Sequence, residues 1–126
     1  MGNDIVHFEI PARNPAKLSK FYTGVFQWKF SDSGMHDMKY WLIKTSANSK
    51  AVMGGMYKKG SKREMAMNYI NTSNIDATLK KFKQQGGKVL TEKMMVPNVG
   101  WTAMGLDPEG NPVGVWQASG MKKGKK

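Results

Sequence analysis

The sequence predicts an α+β fold made of two βαβββ modules. Three observations carry that prediction. One pattern occurs twice: a half-polar strand, an amphipathic helix opened by an Asn, then further strands. Strand periodicity and turn chemistry fit the same order in both halves. A length of 126 residues, 40% of them hydrophobic, is one domain's worth and can bury a substantial core.

The first module opens with a strand over residues 4–11, where Val6, Phe8 and Ile10 alternate with Ile5, His7 and Glu9. Pro11 is expected to end it. Asn14 reads as an N-cap with Pro15 at the first helical position, and Leu18, Phe21, Tyr22 and Val25 make one apolar helix face running to Phe26. Trp28-Lys29-Phe30, Lys39 to Thr45 and Ala51 to Tyr57 then read as strands.

The second module begins at Met65-Ala66-Met67-Asn68-Tyr69-Ile70. Asn74 caps a helix with Ile75, Leu79 and Phe82 toward the core, stopped by Gly86-Gly87. Strands follow at Lys88 to Leu90, Trp101 to Leu106 and Pro112 to Gln117. In the loop Asp107-Pro108-Glu109-Gly110-Asn111, Pro fixes φ and Gly accepts positive φ, so a turn explains both carboxylates. The expected organisation is one domain over 1–118, with modules at about 4–58 and 64–117, and a flexible basic tail over 119–126. Placing Asn14 over Asn74 sets His7 over Met67, Glu9 over Tyr69 and Ile10 over Ile70. Two such units would face each other across a shared cleft, where small ligands usually bind.

Composition narrows the function classes. The absence of Cys excludes disulfides, thiolate nucleophiles and thiolate metal sites. No stretch approaches the roughly 20 apolar residues of a membrane span, and Met1-Gly2-Asn3-Asp4 lacks the features of a secretory signal. A soluble, cytoplasmic protein is expected. The net charge of +11 gathers in Lys58-Lys59-Gly60-Ser61-Lys62-Arg63, in Lys80, Lys81 and Lys83, and in Lys122, Lys123, Lys125 and Lys126. Such density attracts polyanions in a salt-dependent way, but no zinc-finger, helix-turn-helix or RNA-recognition pattern accompanies it. A solvated surface is the expected reading, and nucleic acid is not an expected partner. There is no Gly-x-Ser-x-Gly elbow, phosphate loop or dinucleotide fingerprint.

Three stretches carry a family resemblance: Val6-His7-Phe8-Glu9-Ile10-Pro11, Phe21-Tyr22-Thr23-Gly24-Val25-Phe26-Gln27-Trp28, and Asp107-Pro108-Glu109-Gly110-Asn111-Pro112-Val113-Gly114-Val115-Trp116-Gln117. With the internal repeat they cover residues 4–117. The chain resembles the vicinal oxygen chelate superfamily, which includes glyoxalase I, extradiol dioxygenases and bleomycin and fosfomycin resistance proteins. The resemblance implies two βαβββ modules whose sheets curl into an open barrel around a cleft, an open curled sheet commonly assembled as a homodimer. Metal-dependent members ligate a divalent ion with a His in a module's first strand and a carboxylate in its closing strand. His7 falls on the first-strand position, but its counterpart is Met67, a poor ligand for such ions. Gly114 stands at the closing-strand carboxylate position, and Val52-Met53-Gly54-Gly55-Met56 has no carboxylate either. Glu9 shares the strand face of His7 and is a candidate second ligand, but catalytic ions need about three protein ligands. His36 and Asp37 belong to an expected hairpin loop. No resident metal or cofactor is therefore expected.

His7 and Glu9 are the candidate catalytic pair, since a carboxylate beside a His can orient its ring for general-base work. Trp41, Met56, Met67, Tyr69, Trp101 and Trp116 are candidate lining for a flat or apolar small molecule. Each has an ordinary alternative as core. Trp116 is the preferred contact, because Gly114 beside it leaves room for a ligand to approach. The expected function is small-ligand binding without the usual metal. The alternative is a lyase or isomerase resembling glyoxalase I (lactoylglutathione lyase) and using His7 and Glu9, with or without a divalent metal, and a third possibility is a polyanion-associated protein.

Overall fold

The first unit of the chain is organised around β1 (Ile5–Ala12), which pairs in parallel with β4 (Met53–Lys58). The computed structural model describes residues 2–35, 39–48, 50–60 and 64–119. These fall into two units, Val6–Met67 and a second formed by Met1–Ile5 with Asn68–Lys126. His36, Asp37, residues 61–63 of the 58–63 lysine run and the tail from 120 onward lie outside the described residues.

In the first unit β4 continues antiparallel to β3 (Tyr40–Lys44), and β3 to β2 (Lys29–Asp32), giving the order β2-β3-β4-β1. Residues opposed across neighbouring strands share a face. One face therefore carries Ile10, Met56 and Trp41, and the other carries Glu9, Gly55 and Leu42. Helix α1 (Pro15–Phe26) covers the first of these faces. Ala12, Ile43 and Met56 are buried there, with Phe8, Ile10, Leu18, Trp28, Phe30 and Trp41 packed around them.

Local chemistry sets the helix ends. The Asn14 side chain accepts from the Lys17 N–H at 3.1 Å, Pro15 opens the helix, and Gln27 closes it in the left-handed region at φ 59°. Gly24 lies inside the helix. No α1 residue is fully buried; the helix is held partly by an aromatic stack, with Tyr22 and Trp28 at 4.8 Å and nearly parallel. Pro11, expected to end β1, lies within it opposite Tyr57, and the ladder runs one residue further to Ala12. A proline near a strand end costs only its own missing donor, and the Ala12 carbonyl still accepts from Lys59 at 2.8 Å.

The second unit repeats the plan with β5 (Met67–Asn71), α2 (Ile75–Gln84), β6 (Lys88–Val89), β8 (Gly100–Leu106) and β9 (Pro112–Ala118). Its strand order is β5-β9-β8-β6, with β5 and β9 parallel. An additional strand, β7 (Met94–Val96), forms a hairpin with the start of β8. Three residues without alternation give no strand signature; the hairpin is closed by Asn98 at φ 67° and a Val99-to-Val96 backbone bond of 3.0 Å.

Ile75, Ala103 and Val115 are buried beneath α2 with Leu79 and Trp101 against them. Asn74 accepts from the Ala77 N–H at 3.0 Å, and Ile75 N–H donates to the Gln117 side chain at 2.8 Å. The first residues of the chain join this unit, where Asp4 and Asn3 hydrogen-bond the Asn71 backbone. Neither unit's sheet closes on itself. Among the described residues no helix is long and apolar enough to cross a membrane.

Candidate functional site

On the β1–β4–β3 face turned away from α1, three polar side chains meet. His7 and Glu9 project from β1 two residues apart, as strand alternation requires. Tyr40 reaches them from β3, two strands away. Its hydroxyl donates to Glu9 Oε2 at 2.9 Å and lies 3.0 Å from His7 Nε2, while His7 Nε2 and Glu9 Oε2 are 4.0 Å apart.

A glycine makes the reach possible. Gly55 is opposite Glu9 on one side and Leu42 on the other. A Cβ there would overlap the Tyr40 ring and hydroxyl. Gly54 does the same on the opposite face, where Phe8 lies over it. The two adjacent glycines thus admit one aromatic ring on each side of β4.

Electrostatics define the state of the group. Burial lowers the His7 pKa below its ordinary value and outweighs the attraction of Glu9, which raises it. His7 is therefore neutral at pH 7 and can accept a proton. The Tyr40 hydroxyl bridges the 4.0 Å between His7 Nε2 and Glu9 Oε2. Next to Tyr40, the Tyr57 hydroxyl is held above its usual range, first by burial and then by the carboxylates Glu64 and Glu9. Leu42 and Met53 are exposed on the same face, and Met53 lies opposite His7.

The other expected site residues separate by face. Trp41 and Met56, expected as ligand lining, belong instead to the core beneath α1. Trp101 packs against the core beneath α2, with the Lys93 ammonium 4.7 Å from its ring centre and Asp76 bound to that ammonium at 3.0 Å. Met67, Tyr69 and Trp116 share the face turned away from α2, as their register with Gly114 and Thr102 shows. The room expected over Gly114 is filled, because the Tyr69 ring lies where a Cβ would project. Tyr40 was absent from the sequence-based site. The readable signal was the Gly54-Gly55 pair, which marks a close approach without naming what approaches.

Among the described residues no three His, Asp or Glu side chains converge, and His7 with Glu9 falls short of the roughly three protein ligands such sites use. The Tyr40 hydroxyl occupies the space between them. Asp107 is engaged in its own turn, accepting from the Glu109 and Asn111 N–H groups at 2.9 Å; hydrogen bonds from Asn111, the largest cause, lower its pKa. A shallow indentation of about 410 Å³ lies elsewhere, between the end of α2 and β6, lined by Lys83, Lys88, Thr91 and Glu92.

The chain belongs to the glyoxalase/bleomycin resistance protein/dioxygenase superfamily, whose model matches residues 4–115. Two mycobacterial relatives, the CFP32 proteins of Mycobacterium bovis and Mycobacterium tuberculosis, carry a provisional glyoxylase name. Each is 25% identical over 115 residues, covering 88% of this chain. The chain spans 44% of their length. Among solved structures, protein BH1468 of Bacillus halodurans matches with a TM-score of 0.71 at 14% identity, covering 95% of this chain and 97% of that one. Methylmalonyl-CoA epimerase from Mycobacterium tuberculosis matches at 0.69 with 10% identity, covering 93% and 89%. The 2,3-dioxygenase LapB from Pseudomonas sp. KL28 matches at 0.61 with 15% identity, covering 93% of this chain and 43% of that one. At such identities these likenesses show the fold alone.

Proposed function

We propose that the protein binds a small organic molecule on the His7–Glu9–Tyr40 face of its first module, without a resident divalent ion. The observation that carries this reading is the polar cluster itself: three connected side chains beside the exposed apolar surface of Leu42 and Met53. A few placed polar groups amid apolar surface is the usual composition of a small-molecule site. Saturation-transfer NMR with a library of small aromatic compounds tests it. Compounds that compete for one site and lose binding in a folded Glu9→Gln variant support the reading; hits unaffected by Glu9→Gln would remove the site from this face.

A second reading is favoured by the neutral state of His7. A neutral imidazole beside a carboxylate suits proton abstraction, as in a glyoxalase-like lyase or isomerase, and the relatives' glyoxylase name agrees with it. Saturable turnover of a hemithioacetal that His7→Ala abolishes would support this reading, and turnover unchanged in that variant would exclude the assignment. For assembly we infer a homodimer, because α1 exposes Phe21, Val25 and Phe26 together. Sedimentation equilibrium at micromolar concentration should give twice the chain mass; a monomer would reject it.

A further inference from the structure

We propose that Met95 is a site of reversible oxidation, whose thioether takes an oxygen atom from hydrogen peroxide and passes the change to Trp101 and Lys93. Met95 lies in β7 of the second unit, so the small-molecule reading above is not needed for it.

Exposure sorts the methionines, because a thioether reacts only where peroxide and water reach its sulfur. Met56 is 1% exposed in the core of the first unit, whereas Met95 is 62% exposed, the most of any methionine among the described residues. The strand itself explains that exposure. It is three residues long and pairs along one edge with the start of β8. Met94 and Met95 alternate between its two faces, and both are exposed.

The neighbours of Met95 give its oxidation a consequence. Met95 is directly opposite Trp101 across the β7–β8 ladder, so the two side chains share a face. The Lys93 ammonium lies 4.7 Å from the centre of that indole ring and donates to Asp76 Oδ2 at 3.0 Å. Trp101 thus has a thioether and an ammonium as neighbours.

The chemical step is a two-electron oxygen transfer. The sulfur lone pair attacks one peroxide oxygen, an S–O bond forms and the O–O bond breaks. The other oxygen leaves as water with both peroxide hydrogens; sulfur is oxidised and peroxide reduced. The product is a polar sulfoxide with an acceptor oxygen. At the solvated Met95 this oxygen keeps water as a partner, so the fold survives; at Met56 it would be buried in an apolar core. Beside Lys93 it offers the ammonium a second acceptor in addition to Asp76. The indole exchanges a soft sulfur neighbour for a dipole, and Trp101 reports the state of Met95.

The test treats the full chain with limiting hydrogen peroxide. Peptide mass mapping follows each methionine, and the proton–nitrogen spectrum follows the Trp101 indole N–H, assigned with Trp101→Phe. Met95 should gain one oxygen at least about tenfold faster than Met56. The Trp101 signal should shift in step with Met95 oxidation. Methionine sulfoxide reductases with a thiol reductant should remove the oxygen and return the signal. Met95→Leu, a conservative change at an exposed position, should abolish the shift, whereas Met65→Leu, at another exposed methionine, should leave it. Met95 oxidation no faster than that of Met56 would overturn the proposal, as would an oxygen that the reductases fail to remove. So would a Trp101 signal unmoved when Met95 is fully oxidised, or a shift that persists in Met95→Leu.

Discussion

The two modules share a backbone plan and differ in what they place on it. On β4, Gly55 lies beneath a tyrosine ring that comes from β3, and on β9, Gly114 lies beneath one that comes from β5. In the first module the ring carries its hydroxyl to a His and a Glu. In the second, the positions overlaid on His7 and Glu9 are Met67 and Tyr69, and Tyr69 is nearly buried at 9% exposure. The repeat therefore preserves a gap for an aromatic ring, and in the first module that ring meets His7 and Glu9. The helices differ too: α2 buries Ile75 and turns lysines outward, whereas α1 buries nothing fully and exposes Phe21, Val25 and Phe26.

The largest expected contrast lies in the helices. Ile75→Ala should cost about 2–5 kcal/mol, because the side chain is 1% exposed. Phe21→Ala, at 54% exposure, should change stability of the monomer by less than about 0.5 kcal/mol. Urea unfolding of each variant, below the concentration of any dimer, checks both.

The glycines come next. Gly114→Ala should destabilise by about 2–3 kcal/mol, since a buried Tyr69 ring has nowhere to go. Gly55→Ala should cost less, about 1–2 kcal/mol, because the half-buried Tyr40 can swing outward. It should also break the His7–Tyr40 contact. Equal losses from the two substitutions would show that the modules are packed alike at this position.

Caps give a smaller effect. Asn74→Ala and Asn14→Ala should each cost about 1 kcal/mol by the same denaturation assay.

The smallest effect is a pH dependence confined to the first module. The folded pKa of His7 lies below its unfolded value of 6.5, so the unfolded chain binds the proton more readily. That contribution to stability is fully present above about pH 6.5 and is lost as pH falls from there toward the folded pKa. His7→Gln should flatten this part of the profile; an unchanged slope would assign it to another group.

Much of this was legible from residue order. The Asn14-Pro15 and Asn74 caps, the Gly86 stop and the Asp107 turn are local, so short stretches specify them. Alternation put His7 and Glu9 on one strand face, and the structure keeps them there. It could not say which face a helix would cover at β3, β4 and β8, which is why Trp41, Met56 and Trp101 were expected in a ligand lining and pack in cores. Tyr40 was hidden for a different reason. It is 31 residues from Glu9, and the contact depends on a strand pairing and a missing side chain at Gly55.

The central proposal is that the Tyr40 hydroxyl, rather than a metal ion, joins His7 to Glu9. Calorimetric titration of the purified chain with Zn²⁺ and Ni²⁺ tests it most directly. The account predicts no stoichiometric binding that depends on His7. One ion per chain, lost in a folded His7→Ala variant, would contradict it.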